Sequence, residues 1–424
     1  MSTRVFFSTA ALVAGALLSG CVTREVRPLE KIHPIQAQTQ IPAAQLLDVA
    51  IRELDASVPQ DIAGDEEKLA RRRIFPEIRK AESRYLASLL RSTLESSGQW
   101  GAVRVVPAGV DFVDVLVSGR ILESTGKVLA LEITATDSVG RTWIAHRRYE
   151  SVADAGSYKS TEALKARDPF QNVFSRIAND LLAAREQLSP AAREEIRRVT
   201  GLRFAADLAP QAMGSYLARG GDGQLHVARL PAEGDPFEAR ISRIRERDAG
   251  VIDTVNGYYA NFAEQMQNSY GAWRQASYTE IEKEDRARTQ ARTRTILGAA
   301  AVLGAIFVPD QCSPEDYNCR RVQSAARTAA TVGGTAAVLS GIKKFSDARV
   351  AGQAVKELAE SFQGEVSPQV VDLEGRTLRL TGSAEEQYRE WRRILRELYL
   401  EEAGDVVTPP AAPAARATET DASR

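Results

Sequence analysis

The chain has 424 residues, of which 44% are hydrophobic and 26% charged, with a formal net charge of −1. These are the values of an ordinary globular chain, long enough for two or three domains. With no domain-wide basic surplus there is no electrostatic case for nucleic acid as a partner. Aromatic residues are sparse, at 6%, while alanine and arginine are abundant, which favours helix.

Arg4 precedes an apolar run from Val5 to Leu18, and small residues then lead to Cys21. A basic start, a short apolar middle and small residues at the cut make a secretory signal of residues 1–20. Its removal takes away only Arg4, so the charge goes from −1 to −2. Leu18-Ser19-Gly20-Cys21 resembles the bacterial lipobox, in which the cysteine is diacylated and becomes the first residue of the mature chain. The resemblance implies two or three acyl chains on Cys21, each buried methylene contributing about 0.8 kcal/mol to membrane binding. Val22, where an aspartate would otherwise stand, resembles lipoproteins directed to the outer membrane, facing the periplasm. Residues 21–43 are polar, carry Pro28, Pro34 and Pro42 and lack periodicity, which predicts a lipidated tether.

Residues 44–188 are mixed. Leu47, Val49 and Ile51 alternate as in a strand, and 76–97 form a helix with Pro76 at its start and Gly98 beyond its end. Its apolar side carries Ile78, Ala81, Tyr85, Leu86, Leu89 and Leu94. Strands follow at Val103–Val106, Val113–Ile121, Leu129–Ala135 and Thr142–Tyr149, with a turn at Asp137-Ser138-Val139-Gly140. Asp168-Pro169 caps a helix striped by Phe170, Phe174, Ile177 and Leu181. The order predicts an α+β domain, a small mainly antiparallel sheet with helices on one face.

Arg84-Tyr85-Leu86, Ser97-Gly98-Gln99-Trp100 and the run Asp114-Val115-Leu116-Val117-Ser118-Gly119-Arg120-Ile121 resemble a domain shared by three kinds of envelope protein. They are curli-type secretion-channel lipoproteins, penicillin-binding-protein activator lipoproteins and the N-terminal domain of the Tol translocation protein. The resemblance covers about a third of the chain and implies a partner-binding domain without catalytic residues. It departs from the curli-type channel at Ser124-Thr125-Gly126 and Ser138-Val139-Gly140, where tight turns replace long membrane-spanning hairpins.

Residues 189–294 read as a helical region: a short charged helix from Ser189-Pro190, a glycine-rich loop or hairpin at 220–223, and a long helix from Asp235-Pro236. That helix carries Ile241, Ile244, Val251, Val255, Tyr258, Phe262, Met266, Tyr270 and Trp273 at mostly three- and four-residue steps; 280–294 then read as a solvated face. In 295–344 two apolar blocks, Ile296–Val308 and Ala329–Ile342, flank Cys312 and Cys319. Each is about 14 residues, short of the roughly 20 that span a bilayer. An antiparallel helical hairpin is expected, pinned at its tip by a Cys312–Cys319 disulfide. Gly298, Gly304, Gly333, Gly334 and Gly341 would let helix backbones approach closely, for packing or for assembly. Arg292, Arg294, Lys343 and Lys344 share one end of it, while Asp310, Glu315 and Asp316 make its tip polar. In 345–403 a helix, a β-hairpin around Glu374-Gly375 and a helix with a Ser383/Glu386 capping box follow. Tyr388, Trp391, Leu395 and Leu398 on that helix are expected in the core, and 404–424 form a low-complexity tail.

Catalytic material is scarce. His33, His146 and His226 are isolated, and no GxSxG, Walker loop or HExxH is present. Ser124/Lys127 and Ser340/Lys343 have SxxK spacing without the motifs a serine acylating enzyme needs. Glu66-Glu67 and Glu385-Glu386 are better helix starts than acid/base couples. The expectation is therefore a non-enzymatic outer-membrane lipoprotein without metal or cofactor. It would scaffold or regulate an envelope assembly or secretion system through an unidentified protein partner. The alternatives are a subunit of an oligomeric secretion or export complex, a homo-oligomer included, that uses the Gly/Ala hairpin for membrane insertion or ring assembly, and a periplasmic hydrolase with an unrecognised carboxylate site. The hydrolase reading calls for a deep cleft joining acidic residues from distant segments.

Overall fold

A computed structural model describes residues 30–153, 155–160, 166–232, 234–307, 369–373 and 376–403. Cys21, Cys312, Cys319, Gly333, Gly334 and Gly341 lie outside them, as do the second apolar block and the expected helix at 346–362.

The chain is α+β. A five-stranded sheet is built from β1 (Val49–Arg52), β2 (Val103–Val106), β3 (Val115–Ser124), β4 (Val128–Asp137) and β5 (Thr142–Val152), in the order β2-β1-β3-β4-β5. The three long strands form an antiparallel meander, Val115 opposite Asp137 and Leu131 opposite Tyr149. The short β1 and β2 add to one side in parallel, so the sheet is mixed rather than simply antiparallel. The sequence order concealed this, because β1 inserts between β2 and β3. Central β1 is apolar on both sides, as a strand covered on both faces must be: Val49 and Ile51 enter one hydrophobic cluster and Ala50 another.

On the main face lie α2 (Pro76–Ser96), preceded by the short α1 (Glu66–Arg71), and α3 (Gln171–Glu186). Pro76 opens α2, and Ile78, Ala81, Tyr85, Leu86, Leu90 and Leu94 are buried beneath it. The other face is closed over β1 and β2, with Leu116 of β3 at its margin. There α4 (Pro190–Leu208, 19 residues and so no short helix), the start of α6 (Pro236–Phe307) and α7 (Ala384–Ala403) form a second cluster around Phe204, Ile244, Tyr388, Trp391 and Leu395. Over β3–β5 that face is polar, with Arg120 ion-paired to Glu132.

Between α4 and α6 come α5 (Pro210–Met213) and the hairpin β6 (Leu217–Arg219) and β7 (Leu225–Val227). The expected second hairpin is present as β8 (Gln369–Leu373) and β9 (Arg376–Leu380). Ser383 and Glu386 make the reciprocal capping box before α7, at 2.8 and 3.3 Å.

Helix α6 runs unbroken for 72 residues, roughly 110 Å at 1.5 Å per residue. Ile241, Ile244, Val251 and Ile252 pack in the second cluster, while Val255, Tyr259, Phe262, Met266, Tyr270 and Trp273 join the main one. Tyr259, not Tyr258, is the buried member of the stripe. No packing boundary therefore separates 44–188 from 189–294: one helix ties both cores together.

The expected tether is also corrected. From Glu30 onward it is a strap laid along α3. The Asn172 amide donates to the Glu30 carbonyl (2.8 Å) and accepts from Ile32 N–H (2.9 Å). Two turns on, Asn179 treats His33 (3.1 Å) and Ile35 (2.9 Å) in the same way. Ala37 N–H then reaches the Ser97 carbonyl at 2.8 Å. Asparagine amides, with a donor and an acceptor each, take the place of a neighbouring strand.

Candidate functional site

The carboxylates of the Asp-x-x-x-x-Gly run explain themselves locally. Asp114 is buried just before β3; its Oδ2 accepts from Asp48 N–H (2.9 Å) and its Oδ1 from the Thr200 hydroxyl of α4 (2.7 Å). Asp48 Oδ1 in turn accepts from Ala102 N–H at 2.9 Å. Two carboxylates thus hold the entries of β1, β2 and β3 together. Gly119 is set by contact: a Cβ there would lie 2.4 Å from the Glu132 carbonyl of β4.

Asp48 and Asp114 also line a cleft of about 370 Å³ between the sheet edge, α4 and α6, together with Arg197, Thr200, Arg245 and Asp248. Burial raises the Asp114 carboxyl, against hydrogen bonds that lower it, and pushes Asp248 up to about 6. Asp248 is held by Trp391 Nε1 at 3.2 Å, with Arg392 at 3.8 Å. Arg197 donates to the Leu46 carbonyl and lies 3.6 Å from Asp114. The cleft does join acidic residues from distant segments. Yet Asp48, Asp114 and Asp248 are each engaged in hydrogen bonds that hold secondary-structure elements together.

A second concavity, about 520 Å³, runs between the outer edge of β5 and α3, where Trp143, Arg147, Asp180, Ala184 and Leu188 meet. Asp180 accepts from Tyr149 OH (2.7 Å) and pairs with Arg147 (2.8 Å). β5 ends the sheet, so its outer edge offers main-chain donors and acceptors to an added strand.

The deepest polar cluster is enclosed. Glu82 of α2 is wholly buried, its Oε1 accepting from Ser124 Oγ (2.6 Å) and Tyr270 OH (2.7 Å). Burial raises its pKa, opposed chiefly by Arg79. Next to it Arg274 grips Asp168 and lies 4.4 Å from the Tyr270 ring centroid. Sequence reasoning gave Asp168 a capping role and missed the ion pair. The cap position of α3 is Phe170, without a side-chain bond, and Asp168 Oδ1 accepts from Phe170 N–H at 2.8 Å just ahead of the helix. A charged Glu82 amid Ile78, Tyr85 and Leu86 was the available signal.

The sequence candidates are scattered. Ser124 faces Glu82, while Lys127 turns to Glu282 (2.7 Å) and Asp285, so this SxxK spacing forms no couple, and Ser340/Lys343 lies outside the described residues. Glu67 pairs with Arg71 in α1, and Glu386 belongs to its cap. His226 sits between Glu195 (3.2 Å) and Asp222 (3.6 Å), His146 beside Glu132 and His33 in the strap, all apart. Among the described residues, no three His, Cys, Asp or Glu side chains could hold a metal ion. Gly298 and Gly304 fall on α6, and no described helix is long and apolar enough to cross a membrane. Comparisons with family models, with curated proteins and with solved structures find no match.

Proposed function

We propose that the chain is a non-enzymatic lipoprotein of the outer membrane, facing the periplasm, that recruits a protein partner in envelope assembly or secretion. Leu18-Ser19-Gly20-Cys21 at the end of a secretory signal carries the reading. The strap agrees with it: with Glu30 docked, only a short link separates Cys21 from the folded domain. Lipid attachment restricts the domain to one surface and raises its local concentration there. The groove beside β5, at an open sheet edge, supports a partner that adds a strand there.

The hydrolase reading draws on one observation, the acidic cleft at Asp114 and Asp248. Against it stand the structural hydrogen bonds those carboxylates already make. The secretion-complex reading rests on the Gly/Ala blocks.

Palmitate labelling of the full-length protein, followed by light scattering beside a variant lacking 295–342, separates these readings. Label on Cys21 with a monomer or dimer in both forms is the expected result. A ring-sized mass lost in the variant moves the assignment to a secretion complex, and absence of label overturns the lipoprotein reading. Hydrolysis of envelope polymers that is lost in Asp248→Asn would instead establish the enzyme.

A further inference from the structure

The strap and α6 point the same way. Helix α6 runs antiparallel to α2: Asn256 meets Arg91, Tyr270 meets Tyr85, and Glu284 meets Arg73. Higher numbers along α6 therefore lead toward the α2 N-terminus. The strap, followed from Ala37 back to Glu30, travels in that direction too. Ala37 sits at Ser97, beyond the C-terminal end of α2, and Glu30 at Asn172, in the first turn of α3. That turn lies beside Asp168, which Arg274 of α6 grips. The strap thus heads the way α6 runs. Glu30 lies short of the Arg73–Glu284 level where α6 leaves the domain, since Gln171 bonds Thr93 of α2 at 2.9 Å and Arg274 lies by Tyr85.

Past Asp285, which pairs with Lys127, Arg286, Ala287 and Thr289 are exposed while α6 continues to Phe307. From Arg286 to Arg294 the helix carries four arginines and no acidic residue, and from Ile296 it is wholly apolar. Two lengths then coincide. Cys21 is nine residues upstream of Glu30, an extended reach of up to ~30 Å. Ile296 is 22 residues beyond Arg274, about 33 Å along the helix. The nine-residue segment is thus long enough to match, from Glu30, the distance at which α6 turns apolar.

We propose that the apolar end of α6 enters the same membrane face that the Cys21 lipid occupies, with the Arg286–Arg294 stretch against anionic headgroups. This rests on the lipoprotein reading. The 12 helical residues from Ile296 to Phe307 measure about 18 Å, enough for one leaflet of a hydrocarbon core roughly 30 Å thick. At that length the helix dips in without crossing. Basic residues ahead of an apolar segment suit that placement, since they meet lipid phosphates at the interface.

The test places an indole on the helix. Full-length Leu303→Trp, acylated in cells, is reconstituted in phosphatidylethanolamine/phosphatidylglycerol vesicles with acyl-chain-brominated lipid. Mass spectrometry of Cys21 is read on the same sample. The emission added by the new indole should fall by more than half, while that added by Gln267→Trp, exposed beside the domain, should not change. A Cys21-acylated protein whose added indole is unquenched overturns the insertion and leaves the anchor standing. Crosslinking between copies at that position in the unquenched sample would assign the apolar end to self-assembly. A chain without acylation overturns the anchor itself, and with it the shared membrane.

Discussion

Arg274 of α6 holds Asp168 in a two-pronged buried ion pair, with Nη1–Oδ1 at 3.1 Å and Nη2–Oδ2 at 2.6 Å. It joins the long helix to the entry of α3 inside the aromatic cluster of Tyr85, Phe170 and Tyr270. Removing one partner leaves the other charge buried and unpaired, at a cost of about 3–5 kcal/mol. Arg274→Met and Asp168→Asn should each lower stability by that order, and the double variant should recover part of the loss. Urea unfolding of all three measures it; additive losses would mean that the pair does not couple.

Gly126, in the β3–β4 turn, touches α6 backbone to backbone. A Cβ would lie 2.0 Å from the Arg274 carbonyl and 2.4 Å from Tyr278 N, and Gly126 N–H donates to Ser277 Oγ at 3.1 Å. Backbone cannot yield as a side-chain tip does, so Gly126→Ala is expected to cost roughly 1–3 kcal/mol. Gly64→Ala, with open space around the site, should change thermal stability little. Equal melting temperatures for the two variants would refute the contact.

Two asparagines make four of the strap's hydrogen bonds, and Arg167 and Gln99 also donate to it, at the Ile32 (2.8 Å) and Ile35 (3.4 Å) carbonyls. Replacing both Asn172 and Asn179 by alanine removes these four hydrogen bonds and the one from Arg167 to Asn172 (2.7 Å), each contributing about 0.5–1.5 kcal/mol net. Amide exchange at Ile32 and Ile35 should accelerate at least tenfold, with the sheet amides unchanged. Unaltered exchange would show that the strap is held by other contacts.

Asp248 makes stability depend on pH in the less common direction. Burial lifts its carboxyl from 3.8 to about 6, so between those values the folded chain holds the extra proton. Its contribution is full below about pH 4 and is lost as pH rises through 6, a change of about 3 kcal/mol. Asp248→Asn keeps an acceptor for Trp391 and removes the titration. Wild type minus variant should therefore fall across that window in denaturant melts at successive pH values; a flat difference would contradict the burial.

Much of the architecture was legible in periodicity. Pro76 and Gly98 framed α2, period two gave β3 and β4, the turn at 137–140 gave β5, and Ser383 with Glu386 marked α7, because each signal lies within a few residues of chain. The parallel insertion of β1 was not, since strand order is settled by which edges meet and not by any local pattern. Asp114 and Gly119 stood out as a motif, but their partners Thr200 and Glu132 came from elsewhere in the chain.

The sequence by itself determined the lipobox-like run that ends in Cys21, the places of most helices and strands and the apolar run from Ile296. These depend on composition and spacing along one stretch of chain. Only the tertiary structure decided that the segment from Glu30 is a docked strap, that Glu82, Asp168 and Arg274 share one interior, and that α6 unites two hydrophobic clusters. Desolvation, pairing and direction are properties of neighbours brought together by folding, and residues 140 positions apart become neighbours only there.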